Sequence, residues 1–167
     1  RYSLRAPEFV EIIQEIQAVE AYLEIQKVRF KNKISWNIRI KPGTEKIKIP
    51  KMIIQQIVEN SVHHGLSISK NTGKLLIDVY YFDQNLYIKI QDNGVGISAD
   101  DLRIIQNKLE SSFDTAVTRQ SEALGIINVH ERIKLIFGTA YGIKIESRQN
   151  EGTTAVIKLP VRGAKYV

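Results

Sequence analysis

Along residues 8–29 the apolar side chains Phe9, Ile12, Ile13, Ile16, Val19, Tyr22, Leu23 and Val28 recur at helical spacing with charges between them. The pattern predicts a long amphipathic helix. From 34 to 40 the period changes to two, with Ile34, Trp36, Ile38 and Ile40 alternating against Ser35, Asn37 and Arg39, and a Pro42-Gly43 turn closes this strand. Pro50 suits the first position of a helix, where a missing N–H goes unnoticed. A second helix is therefore expected over 51–64, with Ile53, Ile54, Ile57, Val58, Ser61 and Val62 on one stripe. Strands at 74–82 and 85–91, joined by Asp83-Gln84, read as a hairpin. Residues 98–124 are weakly patterned, and the hydroxyl-rich, charged run from 111 to 122 predicts a long mobile loop. A third helix runs from about Ile126 to Phe137 and stops at Gly138; strands at 142–147 and 153–159 flank an N-E-G turn. The layout is α+β: a two-layer sandwich of about three helices on one face of a mixed, mostly antiparallel sheet, preceded by an N-terminal helix.

Composition narrows the function. The 167 residues suit one domain with a short helical extension, and 43% hydrophobic against 25% charged excludes a disordered tail. No cysteine is present, so disulfides, thiolate catalysis and cysteine-ligated zinc are all excluded. No apolar run approaches the roughly 18 residues that span a bilayer, and the piece is expected to be soluble. Its opening at Arg1-Tyr2-Ser3-Leu4, without Met, reads as a fragment of something longer. The net charge of +6 comes from 24 basic residues spread along the chain, only loosely concentrated from Lys27 to Lys51. That spread suits solvated surface or a mildly cationic cleft for a phosphorylated ligand, and no nucleic acid is expected as a partner.

Four segments carry candidate chemistry. Asp92-Asn93-Gly94-Val95-Gly96 follows an alternating strand; a carboxylate at a strand end accepts from an exocyclic amine, and side-chain-free Gly94 and Gly96 admit a flat ring or a phosphate. An ordinary Asn-Gly turn has the same sequence. On the 51–64 helix Gln56, Asn60 and His63 fall at i, i+4 and i+7, opposite the isoleucines; an Asn amide oxygen suits Mg²⁺, while a merely solvated face would carry the same residues. Adjacent His63 and His64 point about 100° apart, which argues against a two-histidine metal site. Ala123-Leu124-Gly125 opens a helix, whose unpaired N–H groups favour phosphate. Glu151-Gly152-Thr153-Thr154 is chiefly a turn, from which Thr153 could carry a hydroxyl toward a ligand on the sheet.

In this order and at these spacings the four segments resemble the boxes of the Bergerat-fold ATP-binding domain shared by histidine kinases, gyrase, Hsp90 and MutL. Within that superfamily the stretch from Ala21 to Phe30 (A-Y-L-E-I-Q-K-V-R-F), Ile49-Pro50, Gln55 to Gly65, Asn128 to Ile133 and the closing E-G-T-T resemble membrane sensor histidine kinases of two-component systems. The resemblance implies ATP and Mg²⁺ as ligands. Asp92 would accept from the adenine amino group, and Asn60 would hold Mg²⁺. Gly94 and Gly96 would shape the adenine pocket, Gly125 would let a lid approach the phosphates, and Thr153 would assist through water. It also implies a homodimer in the full-length protein, transfer of the γ-phosphate to a histidine of an upstream dimerisation segment, and relay to a response regulator. Residues 1–30 would then end the dimerisation helix or linker, 31–162 form the catalytic domain and 163–167 a tail, all on the cytoplasmic side of a membrane-bound sensor. The acceptor histidine is expected upstream of Arg1. Two positions depart from the family: Ala123 stands where a glycine is usual, and His63 puts a titratable group where a fixed cation is usual. The alternatives are an ATP hydrolase of the same superfamily and a serine kinase of the anti-sigma-factor type. Hydrolysis lacks its base, because Gln56 stands where those enzymes keep a glutamate, and Glu59 projects about 100° away from Asn60.

Overall fold

The helix over Ile12–Arg29 (α1) buries Ile12, Ile16, Val19 and Leu23 on one stripe, each nearly inaccessible to solvent. It starts later than the apolar period suggests, because Phe9–Glu11 forms a short strand (β1) instead. The Glu11 N–H, left without an intrahelical acceptor, is taken by the Gln14 side chain at 3.0 Å, which fixes the helix start. Lys31 and Asn32, both at positive φ (52° and 62°), end the helix and turn the chain into the strand Ile34–Ile40 (β2). The computed structural model describes residues 6–67, 69, 72–111 and 124–161. Loop 111–122 beyond Ser111, together with Ala123 and the 163–167 tail, lies outside the described residues.

Pro50 does not open a helix. It ends the strand Lys48–Pro50 (β3), which pairs antiparallel with β1. The second helix, Ile53–Asn60 (α2), begins after Met52, whose left-handed φ of 66° offers no side-chain cap. The cap comes from another element: buried Glu15 on α1 accepts from the N–H of Ile54 at 2.7 Å and of Gln55 at 3.3 Å. A carboxylate there satisfies orphan donors and favours the positive end of the helix dipole. After Asn60 the backbone widens into a π-helical turn, Ser61–Leu66.

The five-stranded sheet has the order β2-β4-β5-β7-β6, with β4 at Gly73–Phe82, β5 at Asn85–Asp92, β6 at Gly142–Arg148 and β7 at Gly152–Pro160. Only β2 and β4 run parallel; the other neighbours are antiparallel. Asp83 and Gln84, both at positive φ, form the two-residue turn whose twist matches the β4–β5 hairpin. Ile77, Ile88 and Ile157 sit on neighbouring strands, and Ile53, Ile57 and Val58 of α2 share one core with them.

Residues 99–110, within the weakly patterned stretch, form a regular helix, Ala99–Glu110 (α3). Ser98 caps it, its hydroxyl accepting from Asp101 N at 3.2 Å, and two aspartates occupy the first turn. Its apolar signal is faint because only Ile105 and Leu109 are buried. The last helix, Leu124–Phe137 (α4), stops where Gly138 takes a φ of 101°. Buried His130 on α4 accepts from Ile143 N on β6 through Nδ1 at 2.9 Å, clipping helix to sheet. Among the described residues no helix is long and apolar enough to cross a membrane.

Candidate functional site

Asp92 is the last residue of β5, and the sheet leaves it 5% exposed. Burial raises its pKa above the ordinary carboxylate value, while hydrogen bonds from the Gly94 N–H (2.9 Å to Oδ1), the Ser61 side chain and the Thr153 backbone favour the charged form. A carboxylate held this way accepts only, so the partner it suits is an N–H or O–H donor entering the cleft.

The glycines around it bring backbones into contact. A Cβ on Gly94 would lie 2.4 Å from the Gly65 carbonyl carbon, and Val95 N donates to Gly65 O at 3.2 Å. Gly96, at φ 66°, sits where a Cβ would lie 1.9 Å from Arg148 O. The D-N-G-V-G turn is thereby clamped between the π-helical turn and the β6–β7 turn, and neither glycine tolerates a side chain. Gly65 was not singled out for this role by the sequence, which shows its spacing but not the approach of the second backbone. Asn93 turns away from the cleft: its Oδ1 accepts from Lys74 N at 2.6 Å and its Nδ2 donates to Thr72 O at 3.1 Å. It braces the start of β4.

The polar row expected on the second helix is divided between two sides. Asn60, Ser61, His64 and Gly65 line the cavity, whereas Gln56 and His63 do not. His63 instead reaches α1, with Nε2 3.4 Å from the Tyr22 hydroxyl. Hydrogen bonds close five residues apart here (Ser67 N to Val62 O, 2.9 Å), so each residue advances by less than the α-helical angle. The side chain that returns over Asn60 is therefore the fourth on, His64. Glu59 is also on the α1 side, taking a bond from Gln55 at 3.0 Å and raising the Tyr22 pKa, which burial chiefly drives to about 12.

Together these elements enclose a cavity of 730 Å³. The sheet contributes Asp92, Thr153 and Ala155 to its lining, α2 Ile57, α3 and the turn before it Ile97, Ile104 and Ile105, and α4 Ile126. Thr153 has a defined hydrogen-bond polarity. The single proton of Ser147 Oγ goes to Gly152 O (2.8 Å), so Thr153 is the donor in the 2.8 Å Ser147–Thr153 contact, and its lone pairs stay available to the cleft. Gly125 abuts Asn60, where a Cβ would stand 2.9 Å from Oδ1. Asn60 Nδ2 is buried without a protein partner, which marks this amide as one end of an incomplete polar contact. Leu124, the first residue of α4, is 36% exposed and does not line the cavity. The cleft thus offers an apolar slot, a buried acceptor at its floor and an amide beside a helix N-terminus, a set that takes a flat, hydrogen-bonding ring with an anionic tail.

The chain belongs to the family of histidine kinase-, DNA gyrase B- and HSP90-like ATPases, whose model matches residues 45–163. It is homologous to sensor histidine kinases: it is 32% identical over 152 residues to the sensor protein LytS of Staphylococcus epidermidis, covering 91% of this chain and 24% of that protein. It is 31% identical over 165 residues to the sensor protein kinase HptS of Staphylococcus aureus, covering 96% and 30%. The chain therefore spans about a quarter to a third of the length of these relatives. In fold it is similar to the nucleotide-free catalytic domain of the histidine kinase ThkA (TM-score 0.64, 16% identity, 93% of this chain and 97% of that one). It is likewise similar to the Acinetobacter baumannii histidine kinase AdeS (TM-score 0.63, 18% identity, 96% and 70%).

Proposed function

We propose that this chain is the ATP-binding catalytic domain of a sensor histidine kinase, with adenine bound at Asp92. The observation that carries the reading is the buried Asp92 carboxylate in a cavity whose lining also includes Asn60. The adenine amino group donates to Asp92, and a water bridges the ring to the free lone pairs of Thr153. Phosphates extend toward Asn60 and the N-terminus of α4 at Leu124-Gly125, where N–H groups are unpaired by the helix. Gly94 and Gly96 shape the adenine pocket indirectly, by letting the turn after Asp92 pack against the Gly65 and Arg148 backbones.

The metal fits the donor set. Among the described residues no group of three or more His, Cys, Asp or Glu could cage an ion. One neutral amide oxygen suits Mg²⁺, which keeps several waters and takes its other ligands from phosphates. When bound it offsets charge on the triphosphate. The competing reading, an ATP hydrolase, is disfavoured because Gln56 is no base and Glu59 is engaged by Gln55 on the α1 side.

In the full-length protein the γ-phosphoryl group leaves the β-phosphate oxygen for an imidazole nitrogen on the dimerisation segment, giving ADP, and passes on to a response regulator. Residues 1–30 are the end of the dimerisation helix or linker, docked on the catalytic domain of 31–162 through the β1–β3 pairing and the buried stripe of α1, and 163–167 a tail, in the cytoplasmic part of a membrane-bound homodimer. Exposed Ala18, Ala21, Ile25 and Val28 on α1 support this role, since their spacing is that of a helix-pairing seam. The test is to add a separate dimerisation segment and γ-labelled ATP. Acid-labile label is expected on the added segment and none on this chain. Label on this chain alone, or phosphate release without label on the segment, contradicts the reading.

A further inference from the structure

The family position that usually supplies a fixed cation to the phosphates is His63 here, and His63 faces Tyr22 and α1 instead of the cleft. Yet an anionic tail in a cleft that also contains the carboxylates Asp92 and Asp101 needs a compensating charge. Among the cavity-lining residues Lys108 is the one permanently cationic side chain. It is half-buried, and no carboxylate lies within ion-pair distance of its amine among the described residues. Among the described residues its charge is thus not taken up by a carboxylate.

Its position along α3 agrees with that use. Asp101, Ile104, Ile105 and Lys108 lie at i, i+3, i+4 and i+7, one face of the helix, and all four line the cavity. The helix starts at Ser98, next to Gly96 and Ile97 at the Asp92 end of the cleft. At about 1.5 Å per residue, Lys108 stands about 10 Å farther along than Asp101. The ring end of the cleft is thus lined by a carboxylate and isoleucines, and the far end by an amine on a flexible stem. An amine of this kind contacts a phosphate as a point charge.

We infer that Lys108 supplies the fixed positive charge for the nucleotide's β- and γ-phosphates, taking over the role that the π-helical turn denies to His63. The assignment rests on the nucleotide reading above and adds a specificity residue to it: Lys108 separates nucleotides by phosphate count and leaves recognition of the base alone. The ordinary alternative is a lysine that only complements the C-terminal dipole of α3.

The experiment measures dissociation constants for ATP, ADP and adenosine with wild type, Lys108→Ala and Lys108→Arg, with thermal melting of each. The expected result is an ATP affinity at least about fivefold weaker in Lys108→Ala, a smaller loss for ADP, and adenosine unchanged within about twofold. Lys108→Arg should retain ATP binding. Equal losses for all three ligands, or ATP binding in Lys108→Ala equal to wild type, overturn the assignment and leave the nucleotide reading intact. Failure of the wild type to bind any of the three overturns the nucleotide reading itself.

Discussion

The Tyr22 hydroxyl on α1 and His63 Nε2 on the π-helical turn lie 3.4 Å apart, so the histidine beside the cleft faces the neighbouring helix. His64, one residue on, lines the cavity instead. The pair ties α1 to the segment that carries Asn60 and Gly65, and it assigns different work to two adjacent histidines.

That division gives the first prediction. His64→Ala should weaken ATP binding by about three- to tenfold through loss of a polar contact in the cleft, whereas His63→Ala should change it by less than about twofold. Parallel titrations of a fluorescent ATP analogue check this. A larger loss in His63→Ala than in His64→Ala would mean that His63 serves the phosphates after all.

Glu15 gives the second. Burial pushes its carboxyl up to about 6 from an ordinary 4.5, despite the bonds from Gln55 and Ile54 and the Arg132 charge. A group whose pKa is raised on folding adds stability that is complete below the unfolded value and lost as pH rises through the folded one. Summed from below pH 4.5 to above pH 6, this loss amounts to about 2 kcal/mol. Glu15→Gln keeps an acceptor for Ile54 N and should lack that pH-dependent component. Urea unfolding at pH 4.5, 5.5 and 7 checks it; identical pH slopes for the two proteins would contradict it.

His130 and Gly142 give the third. A Cβ at Gly142 would stand 2.5 Å from His130 Nδ1, and the backbone there has a φ of 142°. Gly142→Ala should destabilise the fold by about 2–3 kcal/mol, from overpacking and backbone strain together. Burial lowers the His130 pKa below 6.5, with Lys134 adding to the effect, and the neutral ring accepts from Ile143 N. A depressed pKa gives stability that is complete above 6.5 and declines as pH falls below it. In thermal melts from pH 7.5 to 5, wild type should lose stability relative to His130→Gln, a difference in which the opposing Glu15 contribution common to both cancels.

Much of this architecture was legible because period and position agree: the β4–β5 hairpin, β2 and the end of α4 at Gly138 follow from local pattern alone. The misplaced pieces share another cause, since each depends on a partner distant in sequence. Pro50 is in a strand because β1 pairs with β3, and α2 starts after Met52 because Glu15, far back in the chain, supplies the cap. α3 was faint because two buried residues, Ile105 and Leu109, suffice to hold it. At the site, Asp92, Asn60, Gly96 and Thr153 come together around one cavity. His63 and Asn93 do not, because a π-helical register and a strand-side amide bond leave no trace in residue spacing, and Gln56, on the regular part of α2, also stays outside the lining.

The central claim is that buried Asp92 accepts from the nucleotide base, and the most direct measurement is the affinity of a fluorescent ATP analogue for wild type and Asp92→Asn, with folding of both checked by circular dichroism. Replacing the carboxylate by an amide removes a charge-assisted hydrogen bond, which corresponds to about a ten- to hundredfold loss of affinity. That loss in a folded variant is the expected result. Equal dissociation constants would contradict the account.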